Sequence, residues 1–444
     1  MKFPPGFVWG VATSAYQIEG ATEEDGRGVS MWDTFSRIPG RVERGETGEV
    51  ACEHYHRYRE DVALMADLGV TSYRFSVAWP RVQPDGRGGP NPKGLDFYSR
   101  LVDTLLEHGI DPCPTLYHWD LPQPLSDAGG WLVRDTAHRF AEYAAVVAQR
   151  LGDRASTWIT HNEPSVSAFY GYGLGRYAPG EMRMLDVFPV VHHLLLSHGL
   201  AVRAMRPHLR GDAITGIAHN LSFGRPVSPA PADSDAAELL TALQVHLFCD
   251  PAFLGGYPSA VLEHMPVGNA VRDGDLALLT EGHDFLGVNY YGPQYVTAAL
   301  PGDPLPFRLV DPPEGVRRNE LGIAIEPAGL AELLGYLRTR YRSALPPIII
   351  TENGTACPDV PAPDGRVEDH DRVSYMDRHL RAVRVAIAEG SDVRGYYVWS
   401  LLDNFEWTFG YSKRFGLVHV DRATRERIPK ASYHWYRDLI AATR

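Results

Sequence analysis

Glu163 and Glu352 are the residues on which chemistry can be built. Glu352 closes the run Pro347-Ile348-Ile349-Ile350-Thr351, and a carboxylate there is costly unless it is hydrogen-bonded or paired with a cation. Glu163 stands between Asn162 and Pro164, after the β-type run Thr157-Trp158-Ile159-Thr160. Taken singly, Glu352 reads as an internal salt-bridged glutamate and Glu163 as a carboxylate opening a helix. Taken together they supply what cleavage of a glycosidic bond requires, two carboxyl groups facing one bond. One must be protonated and the other ionised at the same pH, a split that different surroundings produce.

Other polar groups have weaker claims. Arg74 lies in a β-type run; it either holds Glu352 ionised and oriented or forms an ion pair that only stabilises the interior. Gln17, His118, Asn162 and Glu406 are suited to bonding sugar hydroxyls, and equally to being satisfied core groups. The pair His54-x-His56 has no accompanying carboxylate or cysteine cluster, so neither a metal nor any other cofactor is expected. Gly171-Tyr172-Gly173-Leu174-Gly175 lacks the GxGxxG spacing and a preceding strand, and reads as a turn.

These residues need a frame. Helical spacing recurs at Val62, Met65 and Leu68; at Leu95, Tyr98, Leu101, Val102, Leu105 and Leu106; at Phe140, Tyr143, Val147 and Leu151; and at Val373, Met376, Leu380, Val383 and Ile387. Gly69, Gly109, Gly152 and Gly390 follow these stripes as expected left-handed stops. Strand-like runs lie at 7–14, 70–77, 110–117, 157–160, 213–219, 285–290, 347–351 and 393–399. Eight strands with helices between them predict a closed (β/α)8 TIM barrel, with 1–444 as one catalytic domain. Polar and aromatic residues gather where strands end, at Asn162-Glu163, Glu352-Asn353 and Trp399 to Trp407, the face on which such barrels place catalysis. Stretches 222–236, 301–320 and 357–371 read as long irregular loops walling the site.

The composition excludes several classes. A net charge of −12 argues against nucleic acid or an anionic membrane as the main partner. Apolar residues at 44% and charged residues at 22% suit a soluble globular chain. No apolar run reaches signal-peptide or membrane-span length. Cys52, Cys113, Cys249 and Cys357 form no CxxC pair and read as free thiols, which points to the cytoplasm. Nine Trp and 22 Tyr slightly favour a carbohydrate ligand, since their faces stack on sugar rings.

Asn162-Glu163-Pro164 and Thr351-Glu352-Asn353-Gly354 occur together with Tyr73-Arg74-Phe75-Ser76, His118-Trp119-Asp120, Asn289-Tyr290-Tyr291 and Phe415-Gly416-Leu417. On these motifs the chain resembles a family 1 glycoside hydrolase, the group containing bacterial β-glucosidases, almost from end to end. The resemblance implies Glu352 as nucleophile and Glu163 as acid/base, with Asn162 on the 2-hydroxyl of the sugar. It implies that Arg74 and Tyr291 hold the nucleophile. Gln17, His118, Trp119, Glu406 and Trp407 would bind the glycone, Trp399 would floor it, and Asn289 and Phe415 complete the substrate-binding set. The implied reaction is retaining hydrolysis of terminal β-D-glucosyl residues from oligosaccharides or aryl and alkyl glycosides. Two other readings stay open: a transglycosidase sharing the first step, and a sugar-binding barrel without activity.

The resemblance also sorts subgroups. Members acting on 6-phosphorylated sugars carry a small polar residue where this chain has Glu406, so an unphosphorylated glycone is implied. Thioglucosidases replace the acid/base by glutamine, whereas Glu163 is intact. The departures are Ser165 and Val166 where an aromatic often follows the Asn-Glu-Pro motif, Ile323 where tryptophan is common, and Cys357 near the mouth. All concern the leaving-group side.

Overall fold

The structure is a computed structural model describing residues 2–443. Eight parallel strands close on themselves: β1 (Val8–Ala12), β2 (Ser72–Ser76), β3 (Asp111–Tyr117), β4 (Thr157–Asn162), β5 (Ile214–Asn220), β6 (Phe285–Tyr290), β7 (Ile348–Asn353) and β8 (Val393–Trp399). Each pairs with its neighbours in sequence, and β1 joins β8 with Val8 opposite Gly395. Val, Ile, Tyr and Trp are the commonest apolar residues in these segments, as suits strands buried on both faces. Their side chains divide between two cores. Ala12, Cys113, Ile159, Ala218, Phe285, Ile349 and Tyr397 fill the barrel interior. Val11, Val62, Leu101, Val147, Ile217 and Val383 belong to the larger shell between barrel and helices.

The helical stripes form His54–Leu68, Pro92–Glu107, Asp135–Leu151 and His370–Ala388. Gly69, Gly109 and Gly390 have positive φ, as their role as stops predicts. Gly152 does not: its φ is −68°, an ordinary right-handed value. It is glycine for another reason, because a Cβ there would sit 2.2 Å from the carbonyl oxygen of His208.

Two of the stretches expected to be irregular contain structure. Residues 222–236 hold the strand Gly224–Pro226 and the start of the helix Pro231–Thr241, and 301–320 hold the strand Phe307–Val310. These strands are too short to show an alternating pattern. They pair on either side of Gln294–Ala298 in a small separate sheet. Stretch 357–371 is irregular up to His370. The glycine-rich segment expected as a turn is also different. Ser167–Gly173 is a π-helical turn, and a Cβ on Gly171 would meet the carbonyl of Ala178 at 2.7 Å.

Among the described residues no helix is long and apolar enough to cross a membrane. The four cysteines are unpaired and buried.

Candidate active site

The strand ends deliver the site. Both glutamate-bearing strands lose register just before their glutamates, β4 between Ile159 and Asn162 and β7 between Ile350 and Glu352. Such irregularities re-aim side chains at a barrel rim. Glu352 lies within β7, opposite Asn289 of β6, rather than after it. Glu163 follows β4 with φ 48°, and Trp119 and Trp407 also have positive φ, at 75° and 50°. Left-handed backbone at bulky residues persists only where surroundings hold it, and it clusters at functional sites. Gly354 is required by crowding, since a Cβ there would fall 1.8 Å from the carbonyl oxygen of Trp399.

The two carboxyl groups are both buried and differently partnered. Arg74 donates from Nη1 to Glu352 Oε1 at 2.6 Å, and Tyr291 donates its hydroxyl to Oε2 at 2.6 Å. Glu163 Oε1 accepts instead from the neutral amide of Asn289 at 2.7 Å, and the nearby amide of Asn220 also favours its ionised form. Burial, then the Glu352 carboxylate, push Glu163 up to about 8. Burial raises Glu352 too, with Arg74 and Tyr291 opposing. Burial and then both glutamates push Glu406 up to about 8, and its Oε2 has no partner among the described residues. A neutral acid next to a cation-gripped carboxylate is the division of roles that acid/base and nucleophilic catalysis need.

One network fixes these groups. Arg74 Nη2 donates to Asn162 Oδ1 at 2.5 Å, Asn289 Nδ2 donates to the same oxygen at 3.0 Å, and Thr351 donates to Asn289 Oδ1 at 2.7 Å. Burial, then Arg74, hold His118 well below the usual histidine range, so its ring is neutral. In that form Nε2 accepts from Asn162 Nδ2 at 3.0 Å. Trp119 Nε1 donates to the Asn162 carbonyl at 2.9 Å.

The cavity above this network measures about 390 Å³, of the size that holds a small ligand. His118, Trp119, Asn162, Glu163, Tyr291, Glu352, Trp399, Glu406, Trp407 and Phe415 all line it. Arg74 and Asn289 stand behind the wall, acting through the carboxyl groups they bond. Gln17 also stands behind it: its amide bonds Ser14, Asn404 and Phe405, and it lies beside Glu406. Trp407 packs on Trp119 at 4.6 Å between ring centres and on Trp32 at 4.5 Å. Ser165, Val166 and Ile323 are on the wall, whereas Cys357 is buried away from it. Asn220 and Tyr177 were not singled out in the sequence. Asn220 ends β5, the same strand-end position that marks the other polar residues.

The loops after β7 and β8 are clamped by buried charge. Lys430 donates to Asp359 at 2.5 Å and to Asp403 at 2.7 Å, and Arg372 pairs with Asp359 and Asp369. Burial raises Asp403, but Lys430, His419 and Arg372 outweigh it and hold it at about 2. Asp403 precedes Asn404, Phe405, Glu406 and Trp407, so the loop after β8 is tied to the loop after β7.

His54 and His56 do not converge: His54 pairs with Asp61 at 2.7 Å in the interior, and His56 meets Glu24 at the surface. Among the described residues no group of three or more His, Cys, Asp or Glu is placed to hold a metal.

The chain is similar to known proteins along its whole length. A thermostable β-glucosidase B from Thermobispora bispora is 50% identical over 99% of this chain and 91% of its own length. The crystal structure of a psychrophilic β-glucosidase from Micrococcus antarcticus superposes with a TM-score of 0.95 at 45% identity, covering 100% of this chain and 98% of that one. The β-glucosidase from Thermotoga maritima in complex with glucoimidazole superposes with a TM-score of 0.94 at 44% identity, covering 99% of each. The sequence profile of glycosyl hydrolase family 1 matches residues 1–444. With paired carboxyl groups at the barrel rim and this likeness along its whole length, the chain belongs to glycosyl hydrolase family 1.

Proposed function

We propose that the chain is a retaining β-glucosidase that releases terminal β-D-glucosyl residues, with 1–444 acting as one catalytic domain. The observation that carries this reading is the unequal partnering of two buried glutamates, Glu352 held by Arg74 and Tyr291 and Glu163 by the neutral amide of Asn289. In the first step Glu163 gives its proton to the glycosidic oxygen while Glu352 attacks the anomeric carbon. The alcohol leaves and a glycosyl ester forms on Glu352. In the second step Glu163 takes a proton from water, the water oxygen bonds to the anomeric carbon, and the ester bond breaks. Esterification removes the Glu352 charge, one of the causes holding the Glu163 pKa up, so the acid of the first step becomes the base of the second.

Two unpartnered atoms support a sugar as the ligand. His118 Nδ1 and Glu406 Oε2 lack partners among the described residues, and both residues line the cavity. Asn162 reaches the 2-hydroxyl, Trp399 floors the ring, and Trp119, Trp407, Tyr291 and Phe415 close its sides. Glu406 favours a glycone without a phosphate group. The names of the relatives and the sugar-like ligand of the Thermotoga maritima structure support glucose as the glycone. The buried unpaired thiols suit a reducing cytoplasm.

Proton NMR of an aryl β-D-glucoside during hydrolysis tests the mechanism. The expected first product is β-glucose, before mutarotation. Appearance of α-glucose first overturns retention, and no release from any β-glycoside makes the barrel a binder.

A further inference from the structure

The wall of the catalytic cavity carries one cation that the hydrolysis above leaves unused. Among the residues lining the cavity, Arg176 is the only arginine or lysine. Its side chain is exposed, and among the described residues it forms no ion pair. Its guanidinium carbon lies 6.0 Å from the centre of the Tyr170 ring. The acid closest to it in the chain, Glu181, faces Arg183 instead, at 3.7 Å. The backbone around Arg176 is fixed. Gly175 has φ 62° and its carbonyl accepts from Arg41 at 3.0 Å, and the Tyr177 N–H donates to the Tyr170 carbonyl at 3.0 Å. Residues 175–177 are thereby pinned to the π-helical turn Ser167–Gly173, which follows Glu163 and Pro164 in the chain.

The other ionisable groups on the wall leave this charge uncompensated. Burial and neighbouring carboxylates push Glu163 and Glu406 up to about 8, so both are neutral near pH 6. Glu352 is paired with Arg74, Asp311 with Arg318 at 3.2 Å, and His118 is neutral. A guanidinium is a permanent cation whose planar fork matches a carboxylate. Arg176 shares its wall with Ser165, Val166, Phe169 and Tyr170, all from the segment that follows Glu163. Glu163 protonates the leaving oxygen, so this wall belongs to the leaving group. Phe169 and Tyr170 supply aromatic surface suited to a ring there.

We propose that Arg176 is a specificity-determining residue favouring β-glucosides whose leaving group is a phenol that carries a carboxylate, with the guanidinium bonding that carboxylate. The proposal rests on the hydrolysis described above and adds the charge class of the leaving group. The carboxylate is remote from the bond that breaks, so the contact is made equally before and during cleavage. It therefore lowers KM and leaves kcat as it is.

The test compares 3-carboxyphenyl and 4-carboxyphenyl β-D-glucosides with the corresponding uncharged carboxamides, near pH 6, in the parent and in Arg176→Gln and Arg176→Glu. For each isomer the quantity read is the ratio of kcat/KM, carboxylate over carboxamide. The same substrates meet each enzyme, so differences in leaving-group acidity cancel. For at least one isomer the ratio is expected to fall about fivefold in Arg176→Gln, through KM, and further in Arg176→Glu. Raising NaCl from about 0.05 to about 0.5 M should lower the parent's ratio and leave that of Arg176→Gln unmoved. A ratio unchanged by Arg176→Gln for both isomers, or a salt dependence that this variant retains, overturns the proposal. If no glucoside is turned over, the hydrolysis reading fails separately. Calorimetric Kd values for the same four compounds as 1-thio-β-glucosides then decide. A carboxylate preference lost in Arg176→Gln supports the contact; one shared by both proteins, or absent from the parent, overturns it.

Discussion

Arg74 reaches Glu352 from inside the barrel, Nη1 to Oε1 at 2.6 Å, with both side chains almost wholly shut from water. A buried pair of this kind costs desolvation that its attraction roughly offsets, but removing one partner strands the other. Arg74→Met is therefore expected to destabilise the fold by about 3 kcal/mol. It should also lower kcat/KM by about 100-fold or more and move the acid limb of the pH–rate profile upward, because Glu352 would lose its cation. Chemical denaturation and a pH–rate series check both; an unmoved acid limb would assign Arg74 to stability alone.

Glu163→Gln separates activity from stability. Loss of the acid is expected to cost about 10²- to 10⁴-fold on substrates with poor leaving groups. The folded carboxyl titrates near 8, above its unfolded value of 4.5. The folded protein thus holds a proton the unfolded chain has released, and stability falls as pH rises between those values. The glutamine variant should match the parent near pH 4 and become progressively more stable up to pH 8. Melting temperatures across that range give the answer, and a gain independent of pH would contradict it.

The same titration sets an upper limit on catalysis. The parent's activity is expected to fall as pH rises through about 8, when Glu163 loses its proton. Initial rates on an alkyl glucoside measure this; a decline beginning near pH 5 would show that Glu163 is not the acid.

Buried histidines act in the opposite sense. Burial holds His161 and His219 down at about 3, against about 6.5 in the unfolded chain. Between these values the unfolded chain binds more protons, so each ring makes stability fall as pH drops, by up to about 1.4 kcal/mol per pH unit. His219→Leu should reduce the slope of stability against pH between 4 and 6 relative to the parent. Urea unfolding at three pH values measures the difference.

Gly354→Ala is expected to abolish most activity, because the added carbon falls 1.8 Å from the Trp399 carbonyl. Overpacking costs about 1–3 kcal/mol, and here the displaced group is the backbone of Trp399, which lines the cavity. Activity and melting temperature together check this; a variant with parental kcat would show that the β7 loop yields freely.

Much of this was legible in the chain. Four of the eight strands announced themselves by short β-rich runs behind helical stripes that end at a glycine, the other four by β-rich runs alone, and the two glutamates by standing at strand ends. What hid were relationships that no local pattern encodes. Gly152 looks like a left-handed stop but serves a close approach to His208. The strands Gly224–Pro226 and Phe307–Val310 are too short for periodicity and exist because Gln294–Ala298 lies between them. Asn220 carries the strand-end signal, yet its place on the cavity wall with Glu163 depends on how β4 and β5 register. Gln17 sits where the family resemblance expects a sugar ligand, but its amide is engaged by Asn404 and Phe405.

The ion network around Lys430 has an evolutionary consequence. It welds the loops after β7 and β8 to the body of the protein through charges that cannot be removed singly without stranding a neighbour. The connection between β5 and β6 has anchors of its own, Asp250 with Arg340 and Asp275 with Arg134 and His192. Ser165, Val166 and Ile323 on the cavity wall take no part in these networks, so descendants of this enzyme can exchange them while inheriting the clamp intact, changing which alcohol they release while still recognising the same sugar.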